Sequence, residues 1–590
     1  MSHHLAELLD ARAQSDAVAL RSKRDGRWCT TSWREWAEAS RGLAAALIDC
    51  GVEHGDRVAL MASTREEWLI ADFGILAAGA VTVPVYPTST AEQLGFILEN
   101  SGARVVFVED AAHLEALRAA APTNVTLAVV ISDVPSLEPA GPIAVRSYRD
   151  FLASGLAQPD ERVRERQARI RPEDLATIVY TSGTSGPPRG ARLTHQSLLH
   201  EVRALSEAVE LGPGDEQLLF LPLAHIFARV VALTAVAVGL RTAIADAMHR
   251  MMESFAEVRP TFFASVPRLY EKVFAVANES VSAEGRVKER LWRWAVSIGL
   301  QASRARQRGE EPSGLLAARL RYAEKIALAK VRSGFGGRLR FAVSGGAPLS
   351  PELAEWFHAV GILVLEGYGL TEICGASHVN RAGRYRFGTV GLPVEGVEAR
   401  VGADGEVLLR GPTLMRGYHG QPEATAEVLD ADGWLHTGDI GSIDADGFLT
   451  IIDRKKDVIV TAGGSNVAPQ NIERLLAASP WVSQAVVVGD RQRYLVALLT
   501  LNAAAAERWA REQKRSDALA DLAHDPELRA LIQLDVDDVN RRLSRFERIK
   551  RFAVLERELS VGAGELTETL KPRRDKIRER YAGVIGELYE

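Results

Sequence analysis

The sequence predicts an α/β protein with a large N-terminal domain of stacked βα units, a small β subdomain within it and a smaller α+β C-terminal domain. Three observations lead to this prediction. Helical and strand-like patterns alternate over residues 33–170, which is typical of stacked βα units. Short apolar runs that end at small residues continue the series, as in buried parallel sheets. The sequence pattern then changes twice, near residues 389 and 453.

The predicted strands are short and rich in β-branched residues. The first three, each preceded by a helical segment, are DRVALMA (56–62), VTVPVYP (81–87) and ARVVFVED (103–110). A second series comprises LATIVYTSG (175–183), QLLFLPL (217–223), RTAIAD (241–246), PTFFASVP (260–267), LRFAVSGG (339–346) and GILVLEGYG (361–369). Both series predict strands of a mostly parallel, buried sheet.

From residue 389 onward, Asp-Gly dipeptides separate alternating strands, which predicts a small antiparallel subdomain. A charged run, RKKD, follows at residues 454–457. We place a hinge there, between an N-terminal domain of residues 1–453 and a C-terminal domain of residues 458–590. A C-terminal part of that length is within the usual size range of a domain.

Composition excludes several classes of protein. The chain has 590 residues, of which 47% are apolar and 25% charged, as in ordinary globular proteins. A net charge of −6 gives no overall attraction to nucleic acid. Three cysteines without a CxxC spacing argue against disulfides and structural zinc, so a reducing cytoplasm is predicted. We see no export signal and no apolar run long enough to span a bilayer.

One local charge patch departs from this balance. Residues 286–340 contain fourteen Lys or Arg and four Glu, a net charge of +10. The ordinary interpretation is a solvated helical surface, because long basic side chains commonly lie over helices. The alternative is peripheral contact with an anionic membrane, on its cytoplasmic face, with Trp292 and Trp294 as interfacial anchors.

The segment TSGTSGPPRG at residues 181–190 directly follows an apolar strand. Its glycines allow the backbone to approach a polyphosphate closely, and its hydroxyls and successive N–H groups can bind phosphate oxygens. The segment does not have the GxxxxGK[ST] pattern of a Walker A loop, which removes support for P-loop mechanisms. A flexible linker is the alternative interpretation of this segment alone.

Two further motifs carry polar groups suited to a nucleotide. EGYGLTE (366–372) offers the ring of Tyr368 to a purine, the hydroxyl of Thr371 and a hard carboxylate, Glu372, suited to Mg²⁺. WLHTGD (434–439) offers Asp439 to the hydroxyls of a ribose. Taken singly, the first is also compatible with a strand-to-helix turn capped by Thr371, and the second is better explained as a plain Gly-Asp hairpin turn.

Taken together and in this order, the three motifs resemble those of the adenylate-forming (AMP-binding) superfamily of acyl-CoA synthetases, luciferases and peptide-synthetase adenylation domains. The likeness covers nearly the whole chain and includes SGGAPLS (344–350), DRKKD (453–457), GGSNVAPQNIE (463–473) and LTETLKPRR (566–574). It implies the adenylate-forming enzyme fold, in which the smaller C-terminal domain is mobile.

The resemblance also implies a role for each matching residue. The phosphate loop would comprise Thr181, Ser182, Gly183, Thr184, Ser185, Gly186 and Arg189. Gly346, Ala347 and Tyr368 would surround adenine, with Gly369 and Thr371 also at the nucleotide, and Asp439 and Arg454 would hold the ribose. One departure from the family pattern is Arg189, where Lys is usual, and its planar fork changes how phosphate is contacted.

The remaining implied roles are catalytic. Thr184 and Glu372 would hold Mg²⁺, and Lys571 would bridge the substrate carboxylate and the α-phosphate. Lys456 would be the hinge, and Gly463 and Gly464 would lie on the face that admits coenzyme A.

The family branch that the chain resembles is that of the long-chain fatty acyl-CoA synthetases. The stretches PVYPTST (84–90) and FFASVPRLYEKV (262–273) carry this likeness. It implies ATP-dependent activation of a long-chain fatty acid through acyl-AMP and transfer to coenzyme A, with ATP, Mg²⁺, fatty acid and coenzyme A as the small molecules bound. His225 would lie beside the acyl pocket, although a lone histidine is also a common interior residue.

Two alternatives stay open at this point. One is a fatty acyl-AMP ligase that loads a carrier protein, although we find no insertion before the hinge of the kind such enzymes carry. The other is a catalytically inactive protein that binds acyl nucleotides, and the presence of Lys571, Glu372 and Asp439 argues against it.

Overall fold

A computed structural model of the chain describes residues 2–134, 138–181, 188–245, 250–283, 285–462, 466–567 and 571–590. The predicted α/β class is confirmed: two largely parallel sheets with helices form most of the N-terminal part, and a smaller α+β unit follows.

The first part of the chain builds a seven-stranded sheet in the order β7-β6-β5-β3-β4-β8-β9, parallel except for the β8–β9 pair. β1 and β2 belong to a second sheet, through parallel pairing of β1 with a strand some 220 residues later. The elements are α1 (Ala6–Asp10), β1 (Val18–Arg24), β2 (Arg27–Ser32), α2 (Trp33–Asp49), β3 (Arg57–Met61), α3 (Glu66–Ala77), β4 (Val81–Val85), α4 (Ala91–Ser101), β5 (Val105–Val108), α5 (Ala111–Ala120), β6 (Leu127–Val130), β7 (Ala144–Ser147), α6 (Tyr148–Leu156), α7 (Glu161–Gln167), β8 (Leu175–Thr181) and β9 (Arg189–Thr194).

The next part completes a nine-stranded sheet in the order β16-β15-β14-β13-β12-β10-β11-β1-β2, with a parallel centre and antiparallel edges. Its elements are α8 (His195–Ala208), β10 (Glu216–Leu219), α9 (Ile226–Val238), β11 (Arg241–Ile244), α10 (Met251–Val258), β12 (Phe262–Ser265), α11 (Pro267–Ala283), α12 (Arg286–Gln307), α13 (Gly314–Ala323), a π-helical turn (Glu324–Leu328), α14 (Ala329–Gly334), β13 (Phe341–Ser344), α15 (Pro351–Ala359), β14 (Val364–Leu370), a 3-10 turn (Thr371–Ile373), β15 (Gly375–Val379) and β16 (Leu392–Pro393).

The predicted antiparallel subdomain is a four-stranded sheet of β17 (Glu398–Val401), β18 (Glu406–Arg410), β19 (Leu435–Ile443) and β20 (Leu449–Arg454), with α16 (Pro422–Val428) between β18 and β19. Asp-Gly dipeptides turn the chain between β17 and β18 and between β19 and β20, as the sequence predicted. The glycines at both turns have positive φ, which a side chain would disfavour.

The C-terminal part forms a three-stranded sheet, β23-β24-β25, and a small two-stranded ribbon, covered by helices. Its elements are β21 (Ile459–Val460), β22 (Asn466–Val467), α17 (Pro469–Ala477), β23 (Val482–Val488), β24 (Leu495–Leu501), α18 (Ala503–Glu512), α19 (Leu519–Ala523), α20 (Pro526–Arg542), β25 (Ile549–Leu555), α21 (Arg574–Arg580) and α22 (Ala582–Tyr589). In the described part of the chain, every cluster of buried apolar residues consists either of residues before 454 or of residues after 457. This supports a boundary there, and the hinge itself stays a prediction.

The basic region folds into α12, α13, the π-helical turn and α14. The prediction that Trp292 is an interfacial anchor is wrong, because this side chain lies on the core face of α12. It packs against the ring of Trp356 and donates a 2.9 Å hydrogen bond to the side chain of Asn278. Over the ranges that the structure describes, we find no helix long and apolar enough to cross a bilayer.

Candidate active site

The candidate site lies where β14 of the nine-stranded sheet approaches the β19–β20 hairpin, and the C-terminal part adds one loop. We call Tyr368, Glu372, Asp439, Arg454 and Lys571 the candidate site. All five were predicted from sequence, and the structure brings them together. Parallel strands commonly present functional side chains at their carboxyl ends, and Tyr368 and Glu372 follow the parallel portion of β14.

Asp439 is the most buried carboxylate of the candidate site, with 3% of its surface exposed. Tyr368 donates its phenolic proton to one Asp439 oxygen at 2.5 Å, and the Nε of Arg454 lies 2.9 Å from the other. Burial raises the pKa of Asp439, while the charge of Arg454 opposes that shift. Two carboxylate oxygens offer about four acceptor positions, so acceptor capacity remains for the hydroxyls of a ribose.

Glu372 stands on the 3-10 turn between β14 and β15. Its Oε1 accepts a 2.6 Å hydrogen bond from the hydroxyl of Tyr418, and its main-chain carbonyl accepts from the amide of Met415 at 2.8 Å. The guanidinium of Arg189 lies 5.5 Å from the centre of the Tyr418 ring and pairs with Glu427 at 3.2 Å. Arg189 and Glu372 therefore share Tyr418 as a neighbour.

Sequence reasoning missed Tyr418. It lies in the segment between the EGYGLTE and WLHTGD motifs, and its partner Glu372 is 46 residues away. A bridge between Tyr418 and Ala191, on β9, sets its position. A lone tyrosine in a loop carries no sequence signal that would have identified this contact.

The loop after β13 carries Gly346 and Ala347, two of the residues predicted to surround adenine. Gly346 has φ +81°, a conformation that favours glycine, and both Gly346 and Ala347 are exposed. The buried carboxyl of Glu366 accepts the amide proton of Leu349 at 2.9 Å, which fixes the end of this loop. Gly369 also requires glycine, because a Cβ there would lie 1.5 Å from the carbonyl oxygen of Gly375.

Lys571 reaches the candidate site from the C-terminal part. Its side chain stays accessible to solvent although protein surrounds it on most sides. Loss of water and the charge of Arg454 lower the pKa of Lys571 to about 8, while Asp439 and Glu372 act in the opposite direction. The Lys571 ammonium is thus close enough to both carboxylates to interact with them electrostatically.

Two sets of contacts support this placement of Lys571. The amide of Thr567 donates to the Lys571 carbonyl at 2.8 Å, and the Lys571 amide donates to the Thr567 hydroxyl at 3.0 Å. The guanidinium of Arg268 donates two hydrogen bonds of 2.9 Å across to the carbonyl and hydroxyl of Ser483. The first set joins Lys571 to Thr567, and the second holds the C-terminal part against α11.

His225 caps the N-terminus of α9, where its Nδ1 accepts the amide proton of Phe227 at 3.2 Å. Burial, with a contribution from the charge of Lys571, lowers the pKa of His225 to about 4, so the ring is neutral at physiological pH. His225 is therefore within range of the charge of Lys571. Its role beside the acyl pocket stays a prediction.

Several predicted residues lie outside the described residues: Ser182, Gly183, Thr184, Ser185, Gly186, Gly463 and Gly464. Part of the Lys456 surface is exposed to solvent, and the burial of the remainder lowers the pKa of this side chain. Within the described ranges, no three His, Cys, Asp or Glu side chains are grouped to hold a metal ion. The hard carboxylate oxygens of Glu372 nevertheless fit Mg²⁺, which commonly binds one or two carboxylates together with substrate phosphates.

The chain resembles known proteins over almost its whole length. The model of the AMP-binding enzyme family matches residues 9–419, and the AMP-binding enzyme C-terminal domain matches residues 456–590. The long-chain-fatty-acid–CoA ligase FadD15 of Mycobacterium bovis is 38% identical over 582 residues, which are 98% of this chain and 95% of that protein. The peroxisomal long chain acyl-CoA synthetase 7 of Arabidopsis thaliana is 32% identical, over 98% of this chain and 85% of its own.

A solved structure agrees with the fold. The adenylation domain of a carboxylate reductase from Mycobacterium chelonae superposes with a TM-score of 0.79 at 25% identity, covering 99% of this chain and 91% of that one. The predicted adenylate-forming fold is thereby confirmed. With two family models covering most of the sequence and relatives aligned end to end, this chain belongs to the family of AMP-binding enzymes.

Proposed function

We propose that the protein is an ATP-dependent long-chain fatty acid–CoA ligase that works through an acyl-AMP intermediate. The observation that carries the proposal is the cluster of Tyr368, Asp439 and Arg454 at the predicted nucleotide site, with which the charge of Lys571 from the C-terminal loop interacts. The relatives named as long-chain fatty acid ligases supply the substrate class.

The reaction has two steps. An oxygen of the fatty acid carboxylate attacks the α-phosphorus of ATP, and the bond to the leaving pyrophosphate breaks, which gives acyl-AMP. The sulfur of coenzyme A, after loss of its proton, attacks the acyl carbon, and the bond to AMP breaks. Negative charge accumulates in the first step, and preorganised positive groups stabilise it.

The chain's own residues supply those groups. Lys571 donates to the carboxylate and the α-phosphate, Asp439 orients the ribose, and Arg454 and Tyr368 hold the Asp439 carboxylate in place. Glu372 would hold Mg²⁺ together with Thr184, and a bound Mg²⁺ would neutralise charge on the phosphates. Gly463 and Gly464 would lie on the face that admits coenzyme A.

The substrate class is tested by ATP–pyrophosphate exchange across a series of acids. Acids of 12 to 18 carbons are expected to exceed acetate and benzoate by about a hundredfold or more in kcat/KM, because each buried methylene contributes about 0.8 kcal/mol. Equal turnover of acetate would contradict the long-chain assignment.

Thioester detection with coenzyme A then separates this function from its alternatives. Exchange accompanied by acyl-CoA formation supports the ligase. Exchange without acyl-CoA, even at saturating coenzyme A, would instead indicate an acyl-AMP ligase that loads a carrier protein. No exchange with any acid would indicate an inactive nucleotide-binding protein.

We further propose that the basic region contacts anionic membranes through a surface of α12 and α13. The exposed apolar side chains there are Val287 and Leu291, one helical turn apart, and Leu315 and Tyr322, two turns apart. Tyr322 lies 6.0 Å from the half-buried ring of Trp294, which joins the two helices at this surface. We call these residues, with their exposed basic neighbours Arg286, Arg290, Arg319 and Arg321, the basic apolar surface.

The composition of this surface fits a lipid bilayer. Apolar side chains enter the headgroup boundary while basic ones attract anionic lipid. Other arginines of the region are already neutralised by acidic partners, namely Arg293, Arg304, Arg306, Arg308, Arg332 and Arg340.

Cosedimentation with vesicles tests the membrane proposal. At low salt we expect binding to phosphatidylglycerol vesicles that weakens at high salt, because screening shortens from about 10 Å at 0.1 M to about 3 Å at 1 M. The double variant Arg286→Glu/Arg290→Glu should weaken binding about thirtyfold or more, at ~1 kcal/mol for each charge. The matched control Arg169→Glu/Arg171→Glu, outside the basic region, should bind like the wild type. If the protein does not bind these vesicles at low salt, the basic apolar surface is an ordinary solvated helical surface.

A further inference from the structure

Glu201 is a fully buried carboxyl that the reaction described above does not use. It lies on α8, with none of its surface exposed. Its Oε1 accepts a 2.7 Å hydrogen bond from the amide of Ala376, and among the described residues its Oε2 has no hydrogen-bond partner. A buried polar group without a partner is costly, so its retention calls for a physical reason.

The segment that Glu201 holds is the return strand of the hairpin that carries the candidate site. β14 leads through Tyr368 to the 3-10 turn with Glu372, and β15 brings the chain back past Gly375 and Ala376. The pairing of β14 with β15 is irregular between Tyr368 and Gly369, and Gly369 faces Ala376 across this irregularity. The hydrogen bond from Ala376 to Glu201 thus lies at the place where the hairpin departs from regular geometry.

The backbone between Glu372 and Ala376 takes unusual conformations. Cys374 has φ +62°, uncommon for a residue other than glycine, and Gly375 has φ +133°. A Cβ at Gly375 would lie 3.1 Å from Glu201 Oε1, so the helix and the strand approach closely there. Such conformations persist only where the surrounding structure holds them in place.

α8 holds this segment through Glu201, whose Oε1 accepts the hydrogen bond from the amide of Ala376. α8 begins directly after β9, the strand that leads away from the predicted phosphate loop. β9 and α8 therefore connect the end of that loop to the segment behind Glu372.

We propose that Glu201 is a positioning residue that acts through the backbone of residues 374–376 to fix the carboxylate of Glu372 for Mg²⁺. The inference rests on the proposed function, in which Glu372 holds Mg²⁺ with ATP. Burial raises the pKa of Glu201 to about 8, so a neutral carboxyl occupies the position and glutamine is a close substitute.

Binding of Mg²⁺ with α,β-methylene-ATP, measured by titration calorimetry, tests the proposal without turnover. Glu201→Gln retains an acceptor for Ala376 and is expected to bind within about threefold of the wild type. Glu201→Leu has similar volume and no acceptor, and it should need about 10-fold more Mg²⁺, the lower end of the cost of losing a direct outer-shell partner, because Glu201 acts on Glu372 through the backbone. Glu201→Asp has a shorter side chain, which moves the acceptor away from the amide of Ala376, so its Mg²⁺ requirement should lie between those of the other two variants. It replaces Glu201→Leu in the test if the leucine variant does not fold. The matched control Glu207→Ala, exposed on the same helix, should be unchanged.

A double-mutant cycle decides whether Glu201 acts through Glu372. Adding Glu201→Asp to Glu372→Ala should cause little further loss of Mg²⁺ dependence, because the group being positioned is already gone. Unchanged Mg²⁺ dependence in folded Glu201→Leu or Glu201→Asp, or full additivity in the cycle, would overturn the proposal. If Glu372→Ala alone leaves Mg²⁺ dependence unaltered, the assignment of Mg²⁺ to Glu372 is itself wrong.

Discussion

Replacement of Lys571 by alanine is expected to lower acyl-AMP formation by about 10²- to 10³-fold while leaving the second half-reaction largely intact. The physical reason is the loss of a fixed positive charge where negative charge develops, which typically costs about 3 to 4 kcal/mol. The second half-reaction, from supplied acyl-AMP and coenzyme A, would not use Lys571, because the C-terminal domain is proposed to present a different face. Both half-reactions are measured separately, by pyrophosphate exchange and by thioester formation.

Lys571→Arg is the matched control for charge. It retains a positive group with a different hydrogen-bonding geometry, so it should recover part of the adenylation rate. Equal losses in both half-reactions of Lys571→Ala would contradict the proposal that the C-terminal domain presents a different face in each step. Lys571 would then have a general structural role.

The hinge is tested by the complementary variant, Lys456→Pro. Proline fixes φ near −65° and also restricts the residue before it, so rotation at residues 455 and 456 should be hindered. In the structure Lys571 is close enough to Asp439 and Glu372 to interact with them electrostatically, which is the position proposed for adenylation, so adenylation should be retained while thioester formation falls. Such a motion would belong to the hinge class of domain movements. Equal effects on both steps would argue against rotation at this point.

Replacement of Glu372 is expected to reduce adenylation by about 10²- to 10³-fold, or ~3 to 4 kcal/mol, because a charge-stabilising Mg²⁺ ligand is lost. Two variants separate this effect from folding. Glu372→Ala also leaves the buried Tyr418 hydroxyl without its acceptor, which costs about 1 to 3 kcal/mol of stability. Glu372→Gln keeps an oxygen for Tyr418 but removes the charge, so its stability should remain close to that of the wild type.

The measurements are pyrophosphate exchange as a function of Mg²⁺ and thermal unfolding of both variants. We expect similar losses of exchange in the two variants and a lower Tm only for Glu372→Ala. Undiminished exchange in Glu372→Gln would contradict a role for this carboxylate at Mg²⁺. An unfolded Glu372→Gln variant would show that the charge itself is structural.

Local sequence patterns predicted the nine named strands correctly. All nine apolar runs from DRVALMA to GILVLEGYG are strands, because period, composition and turn residues act over a few neighbouring positions. The β1–β2 hairpin precedes the alternating pattern of residues 33–170, and the parallel pairing of β1 with β11 joins segments far apart in sequence. The wrong assignment of Trp292 as an anchor has a similar origin. Composition indicated a basic region, and the register of α12 against α15 decided which tryptophan faces the core.

The sequence by itself determined the family and the fold class and predicted the kinds of groups at the site, because motif order and residue chemistry are properties of the linear chain. Only the tertiary structure decided what surrounds each group. Glu372 meets Tyr418 over a separation of 46 residues, and Glu201 meets Ala376 over 175. Hydrogen-bond distances and burial depend on how distant segments pack, and that packing sets the pKa of Lys571 and leaves a neutral carboxyl behind the Glu372 turn.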